Sequence, residues 1–302
     1  MEITSANLQL LRRGYKAAFQ GGLTAAQSIY QQLATVVPST TGTEEYGWLG
    51  QLPGMREWIG DRVIHGLEAH GYAIKNKPFE LTVGVPRTSI EDDNYGVYTP
   101  LMTELGRSAG AQPDEMVFNL LKAGDRVKCY DGKAFFADNH PVKDATGKPV
   151  AQSNADLGGN GPTWYVLDTT RAIKPLIFQD RKKPNFVSLT NETDANVFHQ
   201  AEYVYGVDSR NNVGFGFWQM AQASNRELTQ ENLWKAIKAI GGRTGDGNRK
   251  LALRATMLVI PSNLEDQAAR LLTNDLIALP GGGTENNTLK GRLTSLVSPW
   301  LD

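Results

Sequence analysis

The chain has 302 residues, 40 % of them hydrophobic and 21 % charged, enough for two ordinary domains or one large multi-part subunit with a sizeable core. Its 31 basic and 32 acidic residues leave a net charge of −1, which argues against a surface that grips nucleic acid tightly. Cys129 is the only cysteine, and there is no basic-then-apolar leader or apolar run of about 18 residues, so the expectation is a soluble chain made in a reducing cytoplasm, without disulfide, secretion signal or membrane span.

Leu8, Leu11, Tyr15 and Phe19 fall at helical spacing and predict an opening helix that stops at Gly21-Gly22. A second short helical pattern runs through Ile29 and Leu33, then Val36 and Val37 before Pro38. The stretch PSTTGTEEYGW reads as a loop from its Ser, Thr and Gly content. Two brief helices and a strip of loop cannot form a core, so they must lie on another surface, in this subunit or a neighbour. Between residues 56 and 88 the period changes. Tyr72, Ile74, Phe79, Leu81, Val83 and Val85 alternate with other residues around a turn at Lys75-Asn76-Lys77-Pro78, predicting a long hairpin. A lone hairpin is marginal in water, so it too needs a partner surface.

Ser89 followed by Asp92 resembles a helix N-cap, after which Tyr98, Leu101 and Leu105 line one face. Gly106, Gly110 and Pro113 interrupt that pattern, and Met116, Val117, Leu120 and Leu121 resume it until Gly124, giving one long helix or two in series. Residues 125 to 220 read as strand and loop. Trp164 to Leu167, Leu176 to Phe178, Phe186 to Leu189 and Tyr203 to Val207 are short strands, and Asn211-Asn212 suggests a hairpin turn into Val213 to Trp218. Thr229 is a good N-cap for a helix with the stripe Leu233, Ile237 and Ile240, closed by Gly241-Gly242. Thr256 to Ile260 reads as a buried strand. Ser262 and Glu265 have capping-box spacing ahead of Leu264, Ala268, Leu271 and Leu272. The mixture predicts an α+β chain.

Candidate chemistry is sparse. Gly242 to Gly247 has the separation of a phosphate-binding loop, but Asn248 stands where Lys is needed and a helix precedes it, so the run 241–250 reads as a flexible connection. Among His65, His70, His140 and His199 no pair has the helical offset of zinc ligands. His140 is the most suggestive, with Asp131 and Asp138 as partners in an enzyme site assembled in space; local hydrogen bonding is the commoner use of such a histidine. Cys129 reads as a small buried hydrophobe. Glu91-Asp92-Asp93 fits the start of a helix and Glu44-Glu45 a solvated loop. The scattered Trp and Tyr residues suit core and interface anchors better than a base-stacking platform. No catalytic, cofactor-binding or metal-ligating set is assigned.

The order of parts resembles the Hong Kong 97-type capsid fold. The stretches LPGMREWIGDRVIHGLEAHGYAIKNKPFELTVGVPR (52–87), IEDDNYGVY after it, YDGKAFFADNHP (130–141) and GVDSRNNVGFGFWQMA (206–221) are similar to the Mu-like phage major head subunit, the T protein family. LTQENLWKAIKAI and LVIPSNLEDQAARLL resemble the axial lobe of phage capsid proteins more generally. The resemblance implies an N-terminal arm (1–55), an E-loop hairpin (56–88), a spine helix and peripheral domain (89–220), an axial domain (221–285) and a C-terminal segment returning to the body (286–302). It also implies a non-enzymatic subunit forming pentamers and hexamers in an icosahedral virion head that encloses double-stranded DNA without specific binding. That head is assembled in the host bacterial cytoplasm with scaffold, portal and possible decoration partners. Some capsids of this fold carry an isopeptide bond between an E-loop Lys and a neighbour's Asn. Lys75 and Lys77 sit near the expected hairpin tip, where solvated turn lysines are the simpler reading.

Two rivals make different demands. An encapsulin-like shell of the same fold would close around a protein cargo without portal or tail. An enzyme with its site near His140 would form a discrete small oligomer and lose activity in His140→Ala.

Overall fold

The computed structural model describes residues 2–47, 49, 71–92, 94–278 and 282–302. Helix α1 (Ser5–Ala25) starts at Thr4, whose Oγ1 accepts from the Asn7 amide at 3.2 Å, and it buries Leu8, Leu11, Tyr15 and Phe19 as their spacing predicts. It does not stop at Gly21-Gly22. The second short helix is also absent: after one 3-10 turn at Tyr30–Gln32 the chain runs as strand β1 (Ala34–Pro38). Thr35, Val36 and Val37 are β-branched and favour the extended form. The Asp114 carboxylate fixes the turn before them by accepting from the amides of Ile29 and Tyr30 at 2.9 and 2.7 Å.

Strand β2 (Thr43–Glu45) pairs with β3 (Ala73–Lys75), whereas β4 (Lys77–Pro86) pairs with a distant strand in the body, so no hairpin turns at residues 75–78. Asn76 is buried there. Its Nδ2 donates to Ser39 Oγ at 2.8 Å and the Thr41 carbonyl at 2.9 Å, and its Oδ1 accepts from Gln179 Nε2 at 2.8 Å. A buried amide with three protein partners pins two strands and is not a turn tip. Residues 50–55 of the expected arm and 56–70 of the expected E-loop, with His65 and His70, lie outside the described residues.

Ser89 lies inside the short helix α2 (Arg87–Glu91) instead of capping it. Helix α3 (Thr99–Lys122) is continuous for 24 residues through Gly106, Gly110 and Pro113. The glycines are contact points with α1. A Cβ on Gly22 would lie 1.9 Å from the Thr103 carbonyl oxygen, and one on Gly106 would lie 2.0 Å from that of Phe19.

The chain then forms β5 (His140–Lys143), β6 (Pro149–Gln152), β7 (Ala155–Asp156), β8 (Trp164–Leu167) and β9 (Leu176–Leu189). After α4 (Ala195–Gln200) come β10 (Glu202–Phe215), β11 (Ala221–Ser224) and α5 (Gln230–Gly242). Last are β12 (Thr244–Gly245), β13 (Arg249–Lys250), β14 (Met257–Ile260), α6 (Glu265–Thr273), β15 (Leu276–Ala278), β16 (Thr284–Asn286) and β17 (Thr294–Val297).

Among the described residues the two larger sheets have the orders β1-β9-β10-β4 and β17-β14-β8-β11-β7. The two short strands expected between 176 and 189 are one strand. Asn211-Asn212 makes no turn either: β10 runs through it with register shifts between Asp208 and Asn211. Both amides are engaged where they stand, Asn211 with the Gln112 side chain and Asn212 donating to the Lys75 carbonyl at 2.7 Å. Thr229 does cap α5, accepting from the Asn232 amide at 3.2 Å. The capping box at Ser262 does not form, because a 3-10 turn occupies Ser262–Leu264 and no side chain caps α6. The glycine run 241–250 finishes α5 and makes the small β12–β13 hairpin, with Gly247 at φ +70°.

Two apolar cores result. The smaller joins Tyr15 and Phe19 of α1, Met102 and Leu105 of α3, Phe186, Tyr203 and Tyr205. The larger gathers Val117, Phe118 and Leu121 of α3 with Phe135, Trp164, Trp218 and the strands β8, β11 and β14. Helix α3 thus belongs to both.

Candidate functional site

The sequence candidates Asp131 and His140 do meet. Asp131 follows Cys129 on a tight turn where Gly132 takes φ +77°, and His140 opens β5. His140 Nδ1 lies 2.6 Å from Asp131 Oδ2, and Cys129 Sγ donates to Asp131 Oδ1 at 3.1 Å. Asp138, the third residue expected of an enzyme site, is exposed and stands outside the cluster. His199 is exposed on α4, its ring edge-on to Phe198.

The arrangement is unsuited to nucleophilic catalysis. A cysteine nucleophile needs a base facing its sulfur, and here the Asp131 carboxylate stands between sulfur and imidazole. Burial, then the charge of Asp131, pushes the Cys129 thiol well above its ordinary range, so it stays protonated and inert. Burial alone would raise Asp131, but hydrogen bonds from His140, Cys129 and the Lys133 amide hold it below the ordinary carboxylate value. The three ligand-type atoms lie within 4.8 Å of one another. Yet two ligands about 2.0–2.1 Å from one tetrahedral zinc stand about 3.3 Å apart, and the 2.6 Å from His140 Nδ1 to Asp131 Oδ2 is a hydrogen bond.

Residues the sequence did not single out complete this knot. Asn154 Oδ1 lies 3.2 Å from His140 Nε2, and the imidazole stacks on Trp218 with centroids 4.0 Å apart and planes 7° from parallel. The Arg243 guanidinium reaches the same indole, its carbon 5.9 Å from the ring centroid, and donates to the carbonyls of Gln219 and Ala221 at 2.6 and 2.7 Å. Burial without a carboxylate partner lowers Arg243 to about 9, which still leaves it charged at neutral pH. Only the spatial meeting of four chain segments reveals this group, and no spacing in the sequence announces it.

A second kind of site is the uncovered surface. Cross-strand register sets Val187 beside Gly206 and Leu189 beside Val204, on the sheet face opposite Phe186, Tyr203, Tyr205 and Val207. On that outer face Val187 is 42 % and Leu189 54 % exposed, while Phe198, on the short α4 whose Val197 joins the core of the opposite face, is 77 % exposed. Leu10 on α1 and Val97 before α3 are 66 % and 60 % exposed. Among the described residues strand β4, ten residues long, pairs on one side with β10 and otherwise ends the sheet, leaving a row of backbone groups on an edge. Lys75 and Lys77 are exposed on adjoining strands of the body and not at a hairpin tip. Among the described residues no helix is long and apolar enough to cross a membrane.

Residues 8–301 match the family described as Mu-like prophage major head subunit gpT. The chain is 45 % identical to the major capsid protein of Escherichia phage Mu over 306 residues, covering 100 % of both chains. It is also 45 % identical to the Mu-like prophage FluMu major head subunit of Haemophilus influenzae over 305 residues, 99 % of each. Among solved structures it is similar to a chain of the bacteriophage JBD30 procapsid, with TM-score 0.85 and 49 % identity over 99 % of this chain and 100 % of that one. A chain of the JBD30 capsid superposes with TM-score 0.78 and 36 % identity, covering 100 % of both. The chain belongs to the Mu-like major head subunit family: it is a major capsid protein of tailed-phage type, built on the α+β Hong Kong 97 fold.

Proposed function

We propose that copies of this chain assemble as pentamers and hexamers into a closed icosahedral head around a double-stranded DNA genome. The observation that carries this reading is the end-to-end match to the phage Mu major capsid protein, 45 % identical over 306 residues. The outer sheet face at Val187 and Leu189, the exposed Phe198, Leu10 and Val97 and the β4 edge are the surfaces on which neighbouring subunits would bury apolar area. A net charge of −1 suits a wall that contains DNA without gripping it. The arm (1–55), E-loop (56–88), spine and peripheral (89–220), axial (221–285) and returning C-terminal (286–302) parts describe the subunit in this role.

Scaffold and portal proteins are the partners proposed for assembly in the host cytoplasm. A JBD30 capsid decorated with minor capsid protein trimers supports a decorating partner as well. The subunit has no catalytic role in this reading: the buried Cys–Asp–His group found among the described residues is satisfied internally and presents no free base or nucleophile.

The test is to purify particles containing this chain from producing cells and digest them with nuclease. Protected double-stranded DNA, with the 33 kDa chain as the principal protein band, is expected. Particles holding a protein cargo and no protected DNA would favour the compartment instead.

A further inference from the structure

His140 is 0 % exposed, and the hydrogen bonds around it specify where its protons are. The key is Asn154, whose amide can point only one way. Its Nδ2 lies 2.7 Å from the Phe135 carbonyl and 3.3 Å from that of Trp218, both acceptors, while its Oδ1 accepts from the Ala137 amide at 2.9 Å. The oxygen therefore faces His140 Nε2, and Nε2 must be the donor. The other nitrogen, Nδ1, faces a carboxylate oxygen at 2.6 Å. That carboxylate is held ionised, since its second oxygen already accepts from the Lys133 amide at 3.0 Å and from the Cys129 thiol. Both ring nitrogens thus meet acceptors. A neutral imidazole, with one N–H, would set a lone pair against one of them.

We infer that His140 is a buried imidazolium paired with the Asp131 carboxylate, and that this charge pair latches the joint between the two sheets. The location gives the pair its role. Trp218, under the imidazole, belongs to the 3-10 turn Trp218–Met220 that joins β10 of one sheet to β11 of the other. Asp131 and His140 come from the loop and hairpin that follow α3, and Asn154 lies between β6 and β7. Losing the ring proton breaks one hydrogen bond, removes the cation from the indole face and leaves the Asp131 charge uncompensated in the interior. Acid strong enough to protonate Asp131 breaks the latch. The titratable and charged groups around the ring are Asp131 against Nδ1, Cys129 and Tyr130 on the same turn, Arg243 across Trp218, and Asp246, which lies near enough to act on Tyr130.

The direct test is nitrogen-15 magic-angle-spinning NMR of the sedimented full-length chain labelled at histidine, with His140 assigned from its disappearance in His140→Gln. A doubly protonated ring at neutral pH, with both ring N–H groups hydrogen-bonded, is the expected result. A neutral ring at neutral pH overturns the inference. So does one equivalent of tightly bound transition metal that is lost in His140→Gln. A second measurement tests the latch. In Asp131→Asn, amide exchange over Phe217–Ala223 should accelerate by about tenfold or more, because the buried cation loses its partner. Unchanged protection there would show that the pair does not hold the joint.

Discussion

Gly22 of α1 and Thr103 of α3 pass so close that a Cβ on the glycine would lie 1.9 Å from the threonine's carbonyl oxygen. The same crossing puts Gly106 against the backbone of Phe19, so two glycines from different helices set the approach. Gly22→Ala and Gly106→Ala are therefore expected to destabilise the subunit by about 1–3 kcal/mol through overpacking. Gly14 and Gly21 lie on the same α1 with no neighbour within 4 Å, and Ala there should stabilise by about 0.5–1 kcal/mol. Thermal unfolding of the four variants checks the opposite signs.

Asp114 is a buried carboxylate on α3 that accepts from the amides of Ile29 and Tyr30. Asp114→Ala strands both donors and is expected to cost about 1–3 kcal/mol. Asp114→Asn keeps one acceptor oxygen and should lose less. Urea titrations of both variants measure the difference.

Glu44 gives the first pH prediction. Its Oε1 accepts from the amides of Thr40 and Thr41 and from Ser39 Oγ, and these bonds, led by the Thr41 amide, lower it from 4.5 to about 2. A depressed folded value contributes stability that is complete above 4.5 and disappears as pH falls towards 2. Glu44→Gln should flatten that part of the acid limb, read as the unfolding midpoint against pH.

The open sheet face separates folding from association. Phe198→Ser and Leu189→Ser remove exposed apolar side chains and should change subunit stability by no more than about 0.5 kcal/mol. They should nonetheless reduce the yield of assembled particles, measured by sedimentation velocity beside circular dichroism. Full assembly in the double variant would show that neither side chain contacts a neighbour.

The long central helix, the Thr229 cap and the buried strands at 164–167 and 257–260 were legible because local period and capping chemistry agree there with the tertiary structure. The failures have one common cause. Gly21-Gly22, Gly106 and Gly110 read as breaks when the chain is taken alone, but another backbone fills the space that the missing side chains of Gly22, Gly106 and Gly110 leave. Asn76, Asn211 and Asn212 read as turn residues, yet each is engaged by distant partners. The polar knot shows the same limit: His140 and Asp131 could be named from the sequence, while Asn154, Trp218 and Arg243 enter only through long-range packing. Family resemblance reached the function because it depends on order and wording along the whole chain, which local physical chemistry does not encode.

The most direct test of the central claim is negative-stain electron microscopy with sedimentation velocity on the chain expressed in bacteria, alone and with the proposed scaffold protein. Closed shells, tubes or five- and six-fold rings are the predicted result. A monomer or dimer that stays unassembled at high concentration with scaffold present would contradict it.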